Sequence, residues 1–478
     1  MWFLFVIAVV VALLVGVLLI RAACFQPTEQ PNCAGIPINF DQDRAVSNLR
    51  ELVRCKTVSH PEAEMEEDAE FEKLISLLPS LYPNVFEACF MVRFPERGLL
   101  LHWPGKCHDS PAVMMAHYDV VPADESQWQK PAFEGIIEDG CLWGRGTLDT
   151  KATVNGILCA AEHLIGSGFQ PEQDLYFAFS GSEEINGSGA RCIVDYFIDR
   201  GIEPSFVLDE GGAVVENVFP GVKVPCALIG IAEKGMMNVE YSVHSGGGHA
   251  SAPPVDTPVS ILFKACLRVL KHPFKMGINR PAAELFDTLG RHSTFGYKII
   301  FSNLWLFRPV LDLICRSSGG ELNALVRTTT AFTQMEGSTA RNVLPTQAKL
   351  ISNMRLNPGD TVAQAHARLR QVVADDRVEV RVLEGFDPSP VSVTDCDAYR
   401  TLSKVVAQTW PGCVVSPYLM VQCSDARHYG RLSRRVYRFC AMDLTAEERK
   451  TIHGNNERIR LDAIHKTVEF YIRLMTTC

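Results

Sequence analysis

Seven side chains able to hold a metal or move a proton sit at the ends of apolar runs. They are His117 and Asp119 in MMAHYDVV, Asp149 in GRGTLDTK, Glu183 and Glu184 in SGSEEING, Asp209 in LDEGG and His453 in TIHG. A charged group at the end of a buried strand is costly unless something pairs it, and a pair of divalent cations would do so. The residues therefore point to a two-metal hydrolase. Zinc accepts mixed carboxylate and imidazole donors and keeps positions open for water and substrate. A water between two cations is more easily deprotonated, and a nearby carboxylate must accept its proton. Asp119, two residues after His117, can take the ring N–H and so fix the imidazole tautomer. Each group also has a plainer use: a lone histidine is usually structural, a Glu pair can favour a helix N-terminus, and Asp149 can cap a helix. What sets these residues apart is their common position.

That position follows from the elements. Ala112 to Val121 is a continuous apolar strand broken by His117 and Asp119. Lys151 to Leu164 has helical periodicity, Asp174 to Phe179 reads as a strand, Arg191 to Asp199 as a helix and Ser205 to Leu208 as a strand. This alternation predicts a doubly wound α/β catalytic domain with a mostly parallel sheet. Ligands of such sheets bind beyond the carboxyl ends of the strands, where these residues fall. From Lys234 the pattern changes to strand, helix, strand, strand, helix, strand. That order predicts an inserted two-layer α+β unit of ferredoxin-like type. The doubly wound pattern resumes near Val391 and ends in a helix from Leu461 to Leu474. The apolar, aromatic stretch from Pro273 to Glu321 fits neither period.

The chain has 478 residues, too many for one ordinary core. The expected division is an anchor or signal over 1–22, a linker over 23–38, catalytic residues 39–232 and 389–478, and a lid/dimerisation insert over 233–388. Hydrophobic content of 47%, charged content of 21% and a net charge of −9 argue against disorder and against nucleic-acid binding. The sixteen cysteines form no C-x-x-C pair, which speaks against a zinc ribbon. Trp2 to Ile20 is unbroken and apolar, long enough at about 1.5 Å per residue to cross a bilayer core. The expectation is a single-pass anchor with a lumenal or extracellular catalytic body; the alternative is a signal cleaved to release a secreted protein.

The motifs AHYDVVPA, GRGTLDTK, DEGG, EKGMMN, GHASAPP, SNLWLF, RTTTA, NVLP and IHGNNERI occur in that order from about Asn39 onward. Together they resemble the aminoacylase/carboxypeptidase family of cocatalytic dizinc metallopeptidases, nearest the branch of carboxypeptidase S and the N-fatty-acyl-amino-acid synthase/hydrolases. The resemblance implies two zinc ions per subunit, or manganese or cobalt in their place. His117, Asp149 and Asp209 would hold one ion, and Asp149, Glu184 and His453 the other, with Asp149 bridging. Glu183 would be the general base. His249, Asn342 and Arg355 match positions the family uses for substrate. Of these, His249 would polarise the carbonyl, in dimeric relatives that of the neighbouring subunit's site, which implies a homodimer. Arg355 would bind the substrate carboxylate through its planar fork. The family often has a cis peptide after the bridging aspartate, and Thr150 does not forbid one. The function implied is hydrolysis of N-acyl amino acids, with the reverse condensation open to the same site; the alternative is a Gly-X carboxypeptidase or dipeptidase. A silent receptor on this fold would have lost ligands or base, and this chain retains all six.

Overall fold

The computed structural model describes residues 1–31 and 35–478. Its centre is an eight-stranded mixed sheet, in the order Phe90–Phe94, Gly98–Trp103, Gln173–Ser180, Cys107–His117, Phe206–Val215, Val436–Leu444, Cys226–Glu233, Val414–Met420. The four strands from Gln173–Ser180 to Val436–Leu444 run parallel. Gly98–Trp103 joins one edge antiparallel, and Cys226–Glu233 turns antiparallel to Val436–Leu444 on the other side. Helices Lys151–Gly166 and Leu461–Met475 pack against each other and, with Gln42–Val53, close one face. Buried Val154, Ile157, Leu158 and Ala161 form the helical stripe expected from the sequence. On the other face, helix Gly189–Asp199 packs through Ile193, Val194 and Phe197.

A second core belongs to a four-stranded antiparallel sheet in the order Thr329–Glu336, Gln347–Leu356, Gly235–His244, Glu379–Phe386. Helices Pro258–Lys271 and Val362–Val373 pack beside each other on it. Each opens with a threonine capping box, Thr257 with Ser260 and Thr361 with Gln364, which satisfies the first free backbone donors.

Two details differ from the sequence expectation. The strand leading to the first histidine runs Cys107–His117 and stops there, so Asp119 lies past its end. The unassigned stretch is helical: Arg280–His292, Phe295–Phe301, Leu304–Ser318 and Gly320–Val326. At the N-terminus, Trp2–Cys24 forms one continuous helix. Among the described residues it is the one helix long and apolar enough to cross a membrane. The described cysteines are free.

Candidate metal centre

His117 ends its strand, and its ring is held from behind. Nδ1 lies 3.0 Å from the backbone carbonyl of Asp119 and 3.3 Å from its Oδ1, which leaves Nε2 facing the cavity. The Asp119 carboxylate has further work. Oδ2 accepts hydrogen bonds from Ser59 Oγ (2.7 Å) and Glu184 N–H (3.1 Å), and Oδ1 accepts from Glu183 N–H (3.2 Å). One buried carboxylate thus ties the imidazole to the turn after Gln173–Ser180 that carries both glutamates.

Asp149 lies on the loop before helix Lys151–Gly166 and divides its oxygens between two imidazoles. Oδ1 is 3.0 Å from His117 Nε2, and Oδ2 is 3.1 Å from His453 Nε2. His453 Nε2 is also 3.1 Å from Glu184. The Asp149–Thr150 peptide is cis. Thr150 Oγ1 bonds both the N–H and the carbonyl of His117, locking the loop to the strand end. Glu457 braces the loop from the other side, accepting from Leu148 N–H at 2.8 Å while it pairs with buried Arg145 at 2.6 Å. His453 sits at φ +57°, a left-handed conformation uncommon outside glycine.

The fifth expected donor is not where the sequence reading put it. The Asp209 carboxylate accepts the Ala426 N–H at 2.8 Å, so it faces the turn Asp425–Arg431 and not the histidine. Glu210 lies 3.6 Å from His117 Nε2 instead, and it groups with His117 and Glu183 as a possible cation cradle. A break in register is responsible. Asp209 pairs with Arg438, but the next pair is Gly212 with Phe439, so Glu210 and Gly211 bulge out of the ladder. Glycine follows for steric reasons. Gly211 has φ +143° with a notional Cβ 2.7 Å from Arg438 Cβ, and at Gly212 a Cβ would meet the Leu228 carbonyl at 1.8 Å.

The site is rich in buried carboxylates. Burial and the neighbouring acids push Glu183 well above the usual carboxylate range and Glu210 up to about 8, and they also raise Glu184. Hydrogen bonds from His117 and His453 hold Asp149 low against the effect of burial. Asp149 and Glu184 push His453 up to about 10. Such a donor set lacks positive charge. Donors sharing an ion at roughly 2.0–2.2 Å stand roughly 3–3.5 Å apart, which is the spacing seen from Glu184 through His453 and Asp149 to His117. The residues fit a dinuclear centre.

Asp149, Glu183, Glu184, Glu210 and His453 open onto a cavity of about 490 Å³. Arg355 reaches its edge, with Nη1 at 3.1 Å from the Sγ of the lining residue Cys423. His249 and Asn342 are exposed on a small ribbon formed by Gly248–His249 and Val343–Leu344, and neither lines the cavity. A larger cavity of about 760 Å³ near Cys478 contains none of the converging groups.

Residues 113–477 match the profile of peptidase family M20/M25/M40. The chain is 37% identical to an N-fatty-acyl-amino acid synthase/hydrolase, PM20D1, of Xenopus tropicalis, over 91% of this chain and 86% of that protein. It is 34% identical to a probable carboxypeptidase S-like protein of Dictyostelium discoideum, over 89% and 83%. An M20 family metallo-carboxypeptidase from Sulfolobus solfataricus superimposes with a TM-score of 0.67 at 17% identity, covering 90% of this chain and 98% of that one. This chain is therefore a member of peptidase family M20/M25/M40, the metal-dependent hydrolases.

Proposed function

We propose that this protein hydrolyses the amide between an acyl group and an amino acid that keeps a free carboxylate, and that it can run the reverse condensation. One observation carries the reading: the wall of the cavity beside the converging carboxylates includes Val215, Leu228, Met420, Met442, Leu444 and Ile452, a surface suited to a hydrocarbon chain. The likeness to N-fatty-acyl-amino acid synthase/hydrolases supports it.

The proposed centre would take two zinc ions, with His117, Asp149 and Glu210 able to hold one and Asp149, Glu184 and His453 the other. Bound there, the ions would polarise the scissile carbonyl and acidify the attacking water. Glu183, half-buried beside His117 and Glu210, accepts the proton and delivers it to the leaving nitrogen. Asp119 acts indirectly, by fixing the His117 ring and the backbone of both glutamates. Arg355 is suited to the substrate carboxylate. His249 and Asn342, set on an exposed ribbon, are assigned to the site of a second copy. Helix Trp2–Cys24 is taken as a single-pass anchor, with the signal peptide as its alternative.

A second reading has its own support. Glu321 lines the same cavity and accepts a hydrogen bond from Tyr418 at 2.7 Å, so it could hold the free ammonium of a dipeptide. That would make the protein a carboxypeptidase S-like Gly-X carboxypeptidase. The discriminating experiment compares N-oleoyl-phenylalanine with Gly-Leu, using the full chain and added zinc. The expected outcome is a kcat/KM at least tenfold higher for the acyl conjugate. Preference for Gly-Leu moves the protein to the second reading, and activity on neither overturns both.

A further inference from the structure

Helices Phe295–Phe301 and Leu304–Ser318, joined through Ser302 and Asn303, form a hairpin whose first helix and turn meet the N-terminal helix. Arg21 donates from Nε (3.1 Å) and Nη2 (2.8 Å) to the Ser302 carbonyl, and Asn303 Nδ2 donates to the Leu18 carbonyl at 3.2 Å. In helix Trp2–Cys24, Ala22 is buried while Leu14 and Leu18 are partly covered. Their spacing of four places them on one stripe. The contact therefore lies at the carboxyl end of the apolar helix, where a bilayer crossed by that helix would meet water.

The hairpin is also firmly seated on the body. The Phe301 ring lies 4.7 Å from Phe219 and 5.8 Å from Phe286, and Leu311 and Cys315 are buried. On Leu304–Ser318 these last two share one face, and the opposite face is apolar and open. Trp305 is 61% exposed, Val310 50% and Leu313 68%, and Phe295 on the preceding helix is 52% exposed. Contiguous apolar surface of this kind marks an interaction site. From 295 to 318 the cations are Lys298, Arg308 and Arg316; the single acid, Asp312, is paired with Arg316 and Arg327, and Arg308 donates to the Met276 carbonyl at 3.0 Å, so the segment carries no unpaired acid and a small basic excess. Tryptophan, aliphatic residues and basic groups without free acids make the composition of a helix lying in the headgroup layer.

We propose that the hairpin 295–318 lies in the headgroup layer of the bilayer crossed by helix Trp2–Cys24, with Phe295, Trp305, Val310 and Leu313 in the lipid. This rests on the anchor reading of that helix. One link beyond the hairpin, helix Gly320–Val326 carries Glu321 into the wall of the metal-site cavity, so the lipid contact and the pocket share one segment.

The test reconstitutes the full chain in nanodiscs of phosphatidylcholine and phosphatidylserine (4:1) containing a phospholipid with a diazirine on the upper acyl chain, close to the glycerol ester, at the depth an interfacial helix reaches. After irradiation, adducts are mapped by mass spectrometry. Adducts are expected in residues 2–24 and in 295–313. Adducts in 2–24 alone overturn the proposal and leave the anchor standing; adducts in neither segment sink both. The combined variant Phe295→Ser, Trp305→Ser, Val310→Ser and Leu313→Ser should lose at least four-fifths of the hairpin labelling while 2–24 stays labelled. Unchanged hairpin labelling in the folded variant would show that these side chains do not make the contact.

Discussion

Asp209 and Glu210 are adjacent carboxylates, and only one of them faces the histidine. Successive strand residues point to opposite faces, so LDEGG offers two answers that the apolar pattern alone does not separate. The resemblance selected Asp209; the bulge at Glu210-Gly211 turns Glu210 inward and gives Asp209 a backbone to hold. The signal that could have revealed this is the pair of glycines, since consecutive glycines inside a strand mark a bulge or a close approach. Two substitutions separate the roles. Glu210→Ala should reduce bound metal from two ions to about one per chain, measured by elemental analysis of the purified protein. Asp209→Asn can still accept the Ala426 N–H and should keep both. The reverse result would restore Asp209 as the ligand. A second prediction concerns Glu183, which the site groups with His117 and Glu210 but which has no expected ligand role. Glu183→Ala should retain the metal complement and lose roughly 10²–10⁴-fold in kcat, the usual contribution of a positioned proton-transfer group. Retained turnover would remove it as the base.

Regular elements were legible where one face is apolar and the other polar. The stripe of Lys151–Gly166 and the alternation along Gly235–His244 both follow from such contrast. In the segment after Pro273, helix Arg280–His292 does carry that contrast, with Leu285, Phe286 and Leu289 buried and Arg280 and Asp287 exposed, and the contrast fades from Phe295 onward. Phe301 is buried there, while Trp305, Val310 and Leu313 on the outside are equally apolar. Polar brackets between elements were invisible as well, because they join residues distant in sequence. Glu233, the last residue of its strand, pairs with Arg438 at 2.8 Å, both side chains almost fully buried. Its other oxygen accepts the Ser424 N–H at 2.6 Å, which fixes the start of the turn that Asp209 also holds. Removing one partner of such a pair strands a buried charge, at a cost of roughly 3–5 kcal/mol. Glu233→Ala should therefore lower the thermal midpoint by several degrees, and Glu233→Gln by less because its one amide oxygen can still accept from one of the two donors. Equal midpoints for wild type and Glu233→Ala would show that the bracket contributes little.

At the scale of the molecule, the cavity collects its metal donors from one chain but not all of its expected substrate contacts. His249 and Asn342 stand on an exposed ribbon, apart from the cavity lining. Nearby, helix Pro258–Lys271 exposes Phe263, Leu267 and Leu270, three apolar side chains at helical spacing on the face turned away from its own sheet. A second copy docking on that face would cover the stripe, and in a two-fold pair each ribbon can serve the other chain's cavity. Subunit mixing tests this directly. His249→Ala and Glu183→Ala should each be nearly inactive alone. In a heterodimer, one site would combine an intact Glu183 with the partner copy's intact His249, while the other site lacks both. If His249 acts across the interface, unfolding and refolding the two variants together at equal ratio should restore about a quarter of wild-type activity, since half of the pairs formed are mixed and each has one working site. If His249 served its own chain, every site in every pair would carry one defect. Mixing would then recover nothing, and the ribbon would have to reach the cavity by moving within a single chain.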